Sequence, residues 1–190
     1  GILLALGRRS KMTVIRVLCV AFIELFRSVP LITILFMATT MFPLFLPEGF
    51  HINKLASAIV AVCLFAAAYM AEVVRGGLQA IPKGQYEAAE AVGLTYWQSM
   101  GFIVMPQALK YMIPNIVSNF MGLFKDTTLV SIIGLYDLLG MINAVSQDPS
   151  WIGLHHEPLF TAAVIFFIGC FAMSKYSQYL ERNLGAGHGR

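Results

Sequence analysis

Charged side chains are scarce in this sequence. Asp, Glu, Lys and Arg make up 12% of its 190 residues, whereas a typical soluble domain carries about 25%. Together with 58% hydrophobic residues and a mean hydropathy of +0.73, this scarcity excludes an ordinary soluble domain and indicates a membrane protein. The net charge of +3 comes without a basic run that could follow phosphates, so no nucleic-acid partner is expected.

Cysteine pairs and catalytic motifs are also missing. Cys19, Cys63 and Cys170 stand singly in apolar surroundings, without the spacing of a redox pair or a metal site. His155 and His156 have no third ligand nearby, so no metal site is predicted. Neither a nucleotide-binding loop nor Gly-x-Ser-x-Gly nor His-Glu-x-x-His occurs, so the chain is not expected to be an enzyme or to cradle ATP itself.

Long uncharged stretches are what the sequence does contain. A helix needs about 20 mostly apolar residues to cross a bilayer. Three uncharged stretches approach or reach that length: residues 28–47, 55–71 and 158–174. A fourth, residues 111–124, is short but becomes long enough if it continues past Lys125 and Asp126 towards Ile133. The apolar residues before Arg8 are typical of the end of a further helix, cut by the start of the sequence. We therefore predict one all-α membrane domain over residues 1–190, with about five transmembrane helices, the first truncated.

The basic residues predict how this domain is oriented. Alternating crossings place most of them on one side: Arg8, Arg9, Lys11, Arg16, Lys83, Lys110, Arg182 and Arg190. The other side receives almost none, but holds Glu48, Asp137, Asp148 and Glu157. Because basic loops stay in the cytoplasm, the first side is predicted to be the inner one.

Residues 13–27 do not fit a crossing, because Arg16, Glu24 and Arg27 interrupt them. Their apolar residues recur at helical spacing, which predicts an amphipathic helix at the inner surface. Pro30 should separate this helix from the next crossing.

The long inner loop, residues 75–110, is the most informative part of the sequence. It is predicted to hold a short helix at residues 85–92, bounded by Gly84 and Gly93. Its alanines would let a partner approach closely, and Tyr86 and Glu87 would supply aromatic and polar contacts. A short helix that is joined to the membrane helices through glycine and proline residues can transmit force as a nearly rigid body.

This loop resembles the EAA motif of binding-protein-dependent ATP-binding-cassette (ABC) importers. The motif reads EAA, three residues, Gly, nine residues, Ile-x-Leu-Pro. The matching positions are Glu87, Ala88, Ala89, Gly93, Ile103 and Pro106. Met105 stands where Leu is usual, a swap that conserves volume. The resemblance implies that these residues, with Tyr86, couple the chain to an ATPase subunit.

Nearly the whole chain resembles the polar, or general L-amino-acid, branch of these permeases. The stretches that carry the likeness are IELFRSVPL at 23–31, AYMAEVVRGG at 68–77 and LFKDTTL at 123–129, with departures at Ser28, Val29 and Thr128. The resemblance implies a type-1 ABC transmembrane domain that translocates amino acids by alternating access. It also implies a multi-pass protein of the bacterial cytoplasmic (inner) membrane.

The same resemblance implies several partners. A second permease subunit, identical or different, would complete the path, and an extracytoplasmic amino-acid-binding protein would deliver substrate. Two further subunits would bind and hydrolyse ATP, so no cofactor is expected in this chain.

Polar residues within the crossings are candidates for the substrate path. Lys125 and Asp126 lie about 22 Å beyond Lys110 along a helix, and Asn115 and Asn119 are one turn apart on it. They could line the path, or Lys125 and Asp126 could hold a bend together with neighbouring threonines or pair with a second subunit.

Two pairs near the inner ends of helices have i, i+3 spacing, which places their charges side by side. They are Glu24 with Arg27, and Glu72 with Arg75. They could form an inner gate or anchor the helix ends.

Other functions stay open at this stage. Within the transporter class the solute could be an opine or a sulfur amino acid. An ion channel subunit would explain the crossings and membrane charges, but not a structured inner loop, and no filter-like Gly-Tyr-Gly segment occurs.

Overall fold

The computed structural model describes residues 1–47, 52–149 and 156–185, and all regular structure in these ranges is helical. The α-helices are α1 (Ile2–Arg8), α2 (Thr13–Ser28), α3 (Leu31–Phe36), α4 (Lys54–Gln79), α5 (Lys83–Ala91), α6 (Tyr96–Gln98), α7 (Met105–Asp126), α8 (Leu138–Ser146) and α9 (His156–Gly185). The predicted all-α class is confirmed. Glu48, His155 and Arg190, which were considered above, lie outside the described residues.

Shorter helical segments extend two of these helices. A π segment, Met37–Met41, and a 3-10 segment, Phe42–Phe45, continue α3. Another π segment, Ser99–Val104, leads into α7, and the 3-10 segment Thr127–Ile133 follows α7. The chain is thus helical without interruption across each of these regions.

Three helical stretches of the described residues are long and apolar enough to cross a membrane: Lys54–Gln79, Tyr96–Ile133 and His156–Asn183. The bent pair α2 and Leu31–Phe45 would make a fourth if it is one span. Five crossings were predicted. One difference is α1, predicted as a truncated crossing, whose seven residues cover only about 10 Å of a core of about 30 Å. The other is the predicted crossing 28–47, where the helical run Leu31–Phe45 is long enough only together with α2.

The predicted break at Pro30 is confirmed. Val29 and Pro30 are extended, and the chain direction turns by 103° between α2 and the helical run Leu31–Phe45. The two runs therefore do not form one straight crossing. Val14, Val17 and Leu18 of α2 are exposed, which fits its predicted amphipathic pattern.

Helix α4 is the central element, and small residues let its neighbours approach. Ala58, Ala61, Ala68 and Ala71 are buried along it. The core divides into two clusters. The inner one joins α1, α2, α4 and α7 through residues such as Ala5, Ile23, Leu78 and Met112. The outer one joins α3 and α4 to the 3-10 segment after α7 through Leu35, Ala58 and Ile133.

Helix α9 covers the other side of α7. The rings of Phe124 and Phe166 pack with their centroids 5.1 Å apart. Phe167 and Ile168 on α9 are exposed, as expected for side chains that face lipid.

Candidate functional site: the inner loop, an ion-pair cluster and a polar stripe

The short helix predicted in the inner loop is present as α5, with a different beginning. It starts at Lys83, directly after Pro82, whose extended backbone sets the first turn. Gly84 therefore lies inside the helix and does not bound it, contrary to the prediction. The predicted end is close to the observed one, because Gly93 has a φ of +78° and its N–H donates to the carbonyl of Glu90.

One face of α5 is fixed to the rest of the chain. Ala89 is buried, and the Tyr86 hydroxyl donates to the carbonyl oxygen of Leu78 at 3.3 Å. The Gln107 side chain donates to the Gln85 side-chain oxygen at 3.0 Å. Tyr86 and Ala89 thus pack against their own chain, and the expected contribution of Ala89 to a smooth partner-facing surface is wrong.

The opposite face of α5 is exposed in the described chain. Glu87 is about 160° around the helix from buried Ala89, and Glu87, Ala88 and Ala91 are exposed. A Cβ added at Gly84, on the same face, would meet no atom within 4 Å. Of the remaining motif residues, Pro106 is exposed and Ile103 is half-buried.

Exposed aromatic residues follow α5, and sequence reasoning missed them. Tyr96 and Trp97 are 57% and 71% exposed, and their rings meet edge to face with centroids 5.2 Å apart. They begin the 38-residue helical run Tyr96–Ile133, which at 1.5 Å per residue is about twice as long as the hydrocarbon core is thick. The adjacent Tyr-Trp pair at the start of a helix was the signal that could have identified them.

The depth of these aromatics follows from the contact between α4 and α7. A Cβ added at Gly77, just past the inner end of the predicted crossing, would lie 3.0 Å from the carbonyl oxygen of Ala108. Tyr96 precedes Ala108 by about 18 Å of helix. Tyr96 and Trp97 therefore extend beyond Gly77 on the inner side.

The predicted charge pairs form one cluster with a different pairing. Glu72 is its centre, and its side chain is only 14% exposed. Arg75 Nη2 lies 2.6 Å from Glu72 Oε2, as predicted, and Arg27 Nη1 lies 3.7 Å from the same oxygen. The expected Glu24–Arg27 pair is wrong: Glu24 contacts Arg8 instead, at 3.4 Å.

Arg8 is the member of this cluster that sequence reasoning did not identify as paired. Its Nη1 donates to Glu72 Oε1 at 2.7 Å, across 64 residues of chain. The cluster therefore ties α1 and α2 to α4. Its position at the inner ends of three helices fits both earlier interpretations, a gate or an anchor.

A polar stripe runs along α7. At 100° per residue, Asn115, Asn119, Gly122 and Asp126 fall within about 60° of one another. The Asn119 side chain donates to the Asn115 carbonyl oxygen at 2.9 Å, and a Cβ at Gly122 would meet nothing within 4 Å. The stripe thus faces open space, and Gly122 is a member that the sequence did not single out.

Lys125 and Asp126 lie where α7 becomes a 3-10 helix. Hydroxyl groups support this change: Thr127 donates to the Phe124 carbonyl at 2.8 Å and Thr128 to the Lys125 carbonyl at 2.9 Å. The charged side chains of Lys125 and Asp126 form no hydrogen bond or ion pair with another described residue. The roles expected of Lys125 and Asp126, in the path, at a bend or against a second subunit, stay predictions.

The chain was compared with known proteins and matches one family model over residues 1–185. That model describes the binding-protein-dependent transport system inner membrane component. Two curated relatives share more than half of its residues. The inner membrane amino-acid ABC transporter permease protein YhdY of Escherichia coli K12 is 57% identical over 98% of this chain and 51% of its own length.

The second relative is the glutamate/glutamine/aspartate/asparagine transport system permease protein BztC of Rhodobacter capsulatus. It is 55% identical over 99% of this chain and 44% of its own length. The chain thus spans about half the length of these two relatives. Among solved structures, an amino acid ABC transporter with histidines superposes with a TM-score of 0.83 at 29% identity, over 95% of this chain and 81% of the other.

Proposed function

Because the chain belongs to the family of inner membrane components of binding-protein-dependent transport systems, a family of multi-pass inner-membrane proteins, we propose that it moves amino acids across that membrane as a permease subunit of an ABC importer. The observation that carries the proposal is α5, a helix fixed on one face and open on the other. The family is one of transport proteins, which favours a permease over an ion channel subunit. The named relatives act on amino acids, which favours amino acids over an opine.

The coupling step follows from the two faces of α5. Partner ATPase subunits, which bind the ATP, would contact the exposed face around Glu87 and Ala88. The buried Ala89 and the Tyr86–Leu78 and Gln85–Gln107 hydrogen bonds would pass the resulting movement to α4 and α7. Tyr96 and Trp97 would add apolar contact area next to this face. Ile103, Pro106 and Gly93 would set the position of α5 without touching the ATPase.

The substrate step is assigned to the polar stripe on α7. A substrate amino acid carries a carboxylate and an ammonium group, and the stripe offers amide groups at Asn115 and Asn119 and the carboxyl group of Asp126. Lys125 adjoins the stripe but lies about 100° around the helix from Asp126. The stripe is open in this chain, so a second permease subunit, identical or different, would close the path. An extracytoplasmic binding protein would deliver the amino acid at the outer end.

Reconstitution of the whole importer in proteoliposomes tests the coupling proposal. We expect ATP-dependent amino-acid uptake, and we expect Glu87→Lys to abolish it without loss of membrane insertion, because a reversed charge sits at the centre of the exposed face. Glu90→Lys is the matched control, since Glu90 lies at the edge of that face and should retain most uptake. Normal uptake by the Glu87 variant would refute the coupling role.

A second experiment tests the stripe. Asn119→Leu should raise the KM for the transported amino acid, or change the ranking of a panel of amino acids, while ATP hydrolysis by the complex continues. Asn143→Leu, an exposed asparagine on α8 outside the stripe, should leave both unchanged. An unaltered KM and ranking for Asn119→Leu would remove the stripe from the path.

A further inference from the structure

The last residue of α1 and the residue after it contact two parts of the molecule at once. Arg8 Nη1 reaches Glu72 on α4 at 2.7 Å and Glu24 on α2 at 3.4 Å. The next residue, Arg9, places its guanidinium carbon 6.0 Å from the ring centroid of Tyr86 on α5. Two consecutive arginines therefore bridge the ion-pair cluster and the inner-loop helix.

We propose that Arg8 and Arg9, here called the dibasic connector, fix α5 to α1 and α2, so that a push on α5 moves the three helices as one body. The inference rests on the proposed function, since it requires a partner ATPase that moves α5. Neither arginine belongs to the coupling motif, and their role follows from contacts across 64 and 77 residues of chain.

The contacts of Arg8 and Arg9 oppose movement of α1, α2 and α5 relative to one another. Glu72 is largely shielded from water, and hydrogen bonds between charged groups in such places are stronger than those between neutral groups. Arg9 adds a cation–π contact to a tyrosine whose hydroxyl is itself bonded to Leu78. Beneath both lies one apolar cluster that includes Ala5 of α1, Ile23 of α2 and Leu78 of α4, with Tyr86 packed against it.

The connector also has a mechanical consequence. Helix α2 leads into the helical run Leu31–Phe45 through the 103° bend at Pro30. If α2 turns together with α5, the run beyond the bend is reoriented across the membrane. Movement at the inner loop would then reach the outer half of the domain by a second route, in addition to the direct one through α4.

A distance measurement on the intact importer tests whether these helices move together. Spin labels replace Val14 on α2 and Glu90 on α5, both exposed and Glu90 only at the edge of the partner-facing surface, in a chain whose three cysteines are changed to serine. In the otherwise unmodified complex we expect the same narrow distance distribution with and without ATP. In the double variant Arg8→Gln, Arg9→Gln we expect the distance to broaden and to change with ATP.

The control removes two charges elsewhere in the same region. Lys11→Gln with Arg16→Gln should leave the distance unchanged, because both side chains are exposed and form no ion pair with a described residue. A distance that changes with ATP in the unmodified complex would overturn the proposal. So would a narrow, constant distance in the Arg8, Arg9 variant.

Transport measurements separate transmission from mere structural support. We expect the double variant to hydrolyse ATP at a rate within about twofold of normal while uptake falls about tenfold, the effect of losing one charge-assisted hydrogen bond. Arg8→Lys alone should recover most uptake. An equal loss of both activities would show that the connector only supports the fold. Absence of ATP-dependent amino-acid uptake by the unmodified reconstituted importer would instead refute the proposed function.

Discussion

The neighbouring glycines Gly76 and Gly77 on α4 should respond in opposite ways to the same substitution. A Cβ added at Gly77 would lie 2.7 Å from Met112 Cε and 3.0 Å from the Ala108 carbonyl oxygen, whereas one added at Gly76 would meet nothing within 4 Å. The Met112 side chain can rotate away, but the Ala108 carbonyl belongs to the α7 backbone. Gly77→Ala must therefore push α4 and α7 apart where they meet the inner loop.

The size of the effect follows from these contacts. Overpacking of a tight contact costs about 1–3 kcal/mol. Gly76→Ala should instead raise the free energy of unfolding by about 0.5–1 kcal/mol, because alanine has a higher helix propensity than glycine. The two variants should thus differ by about 1.5–4 kcal/mol in the free energy of unfolding.

Reversible unfolding of the purified chain in mixed detergent micelles, followed by circular dichroism, measures this difference. We expect the Gly77 variant to unfold first, the natural chain next and the Gly76 variant last. Equal stability of the two variants would contradict the close approach of α4 and α7 at this point, and with it the route from α5 to the membrane helices.

Further substitutions test other parts of the structure. Gly93→Ala should lower the free energy of unfolding by about 1–2 kcal/mol, because Gly93 has a left-handed φ of +78°. Gly101→Ala should not lower it, because a Cβ there has free space. Thermal unfolding compares the two variants. Glu72→Gln should lower the free energy of unfolding by about 1–3 kcal/mol, because it leaves Arg8 and Arg75 facing a neutral group. Glu90→Gln, on the exposed surface, should change the free energy of unfolding by no more than about 0.5 kcal/mol. Similar unfolding temperatures within either pair would contradict the corresponding contact.

Features encoded by neighbouring residues were predicted well. Pro30 marks the break between α2 and α3, and Gly93 marks the end of α5. The family also followed from the sequence, because the coupling motif has fixed spacing. The beginning of α5 was misplaced, since a glycine near the first turn of a helix does not stop it when proline precedes it.

What the sequence could not provide was contact between distant segments. Arg8 is 16 residues from Glu24 and 64 from Glu72, so nothing local suggested that it pairs with both. The sequence also did not indicate which face of α5 packs against the rest of the chain. Ala88 and Ala89 are identical residues, and only packing against the rest of the chain makes one exposed and the other buried.

Site-directed cross-linking in the assembled importer tests the central claim that the exposed face of α5 contacts the ATPase. A cysteine-free chain receives a single cysteine either at Glu87 or at Ala89, and a short bifunctional reagent is added from the cytoplasmic side. We predict a cross-link to the ATPase subunit from position 87 and none from position 89. A cross-link from neither position, or equally from both, would contradict the account.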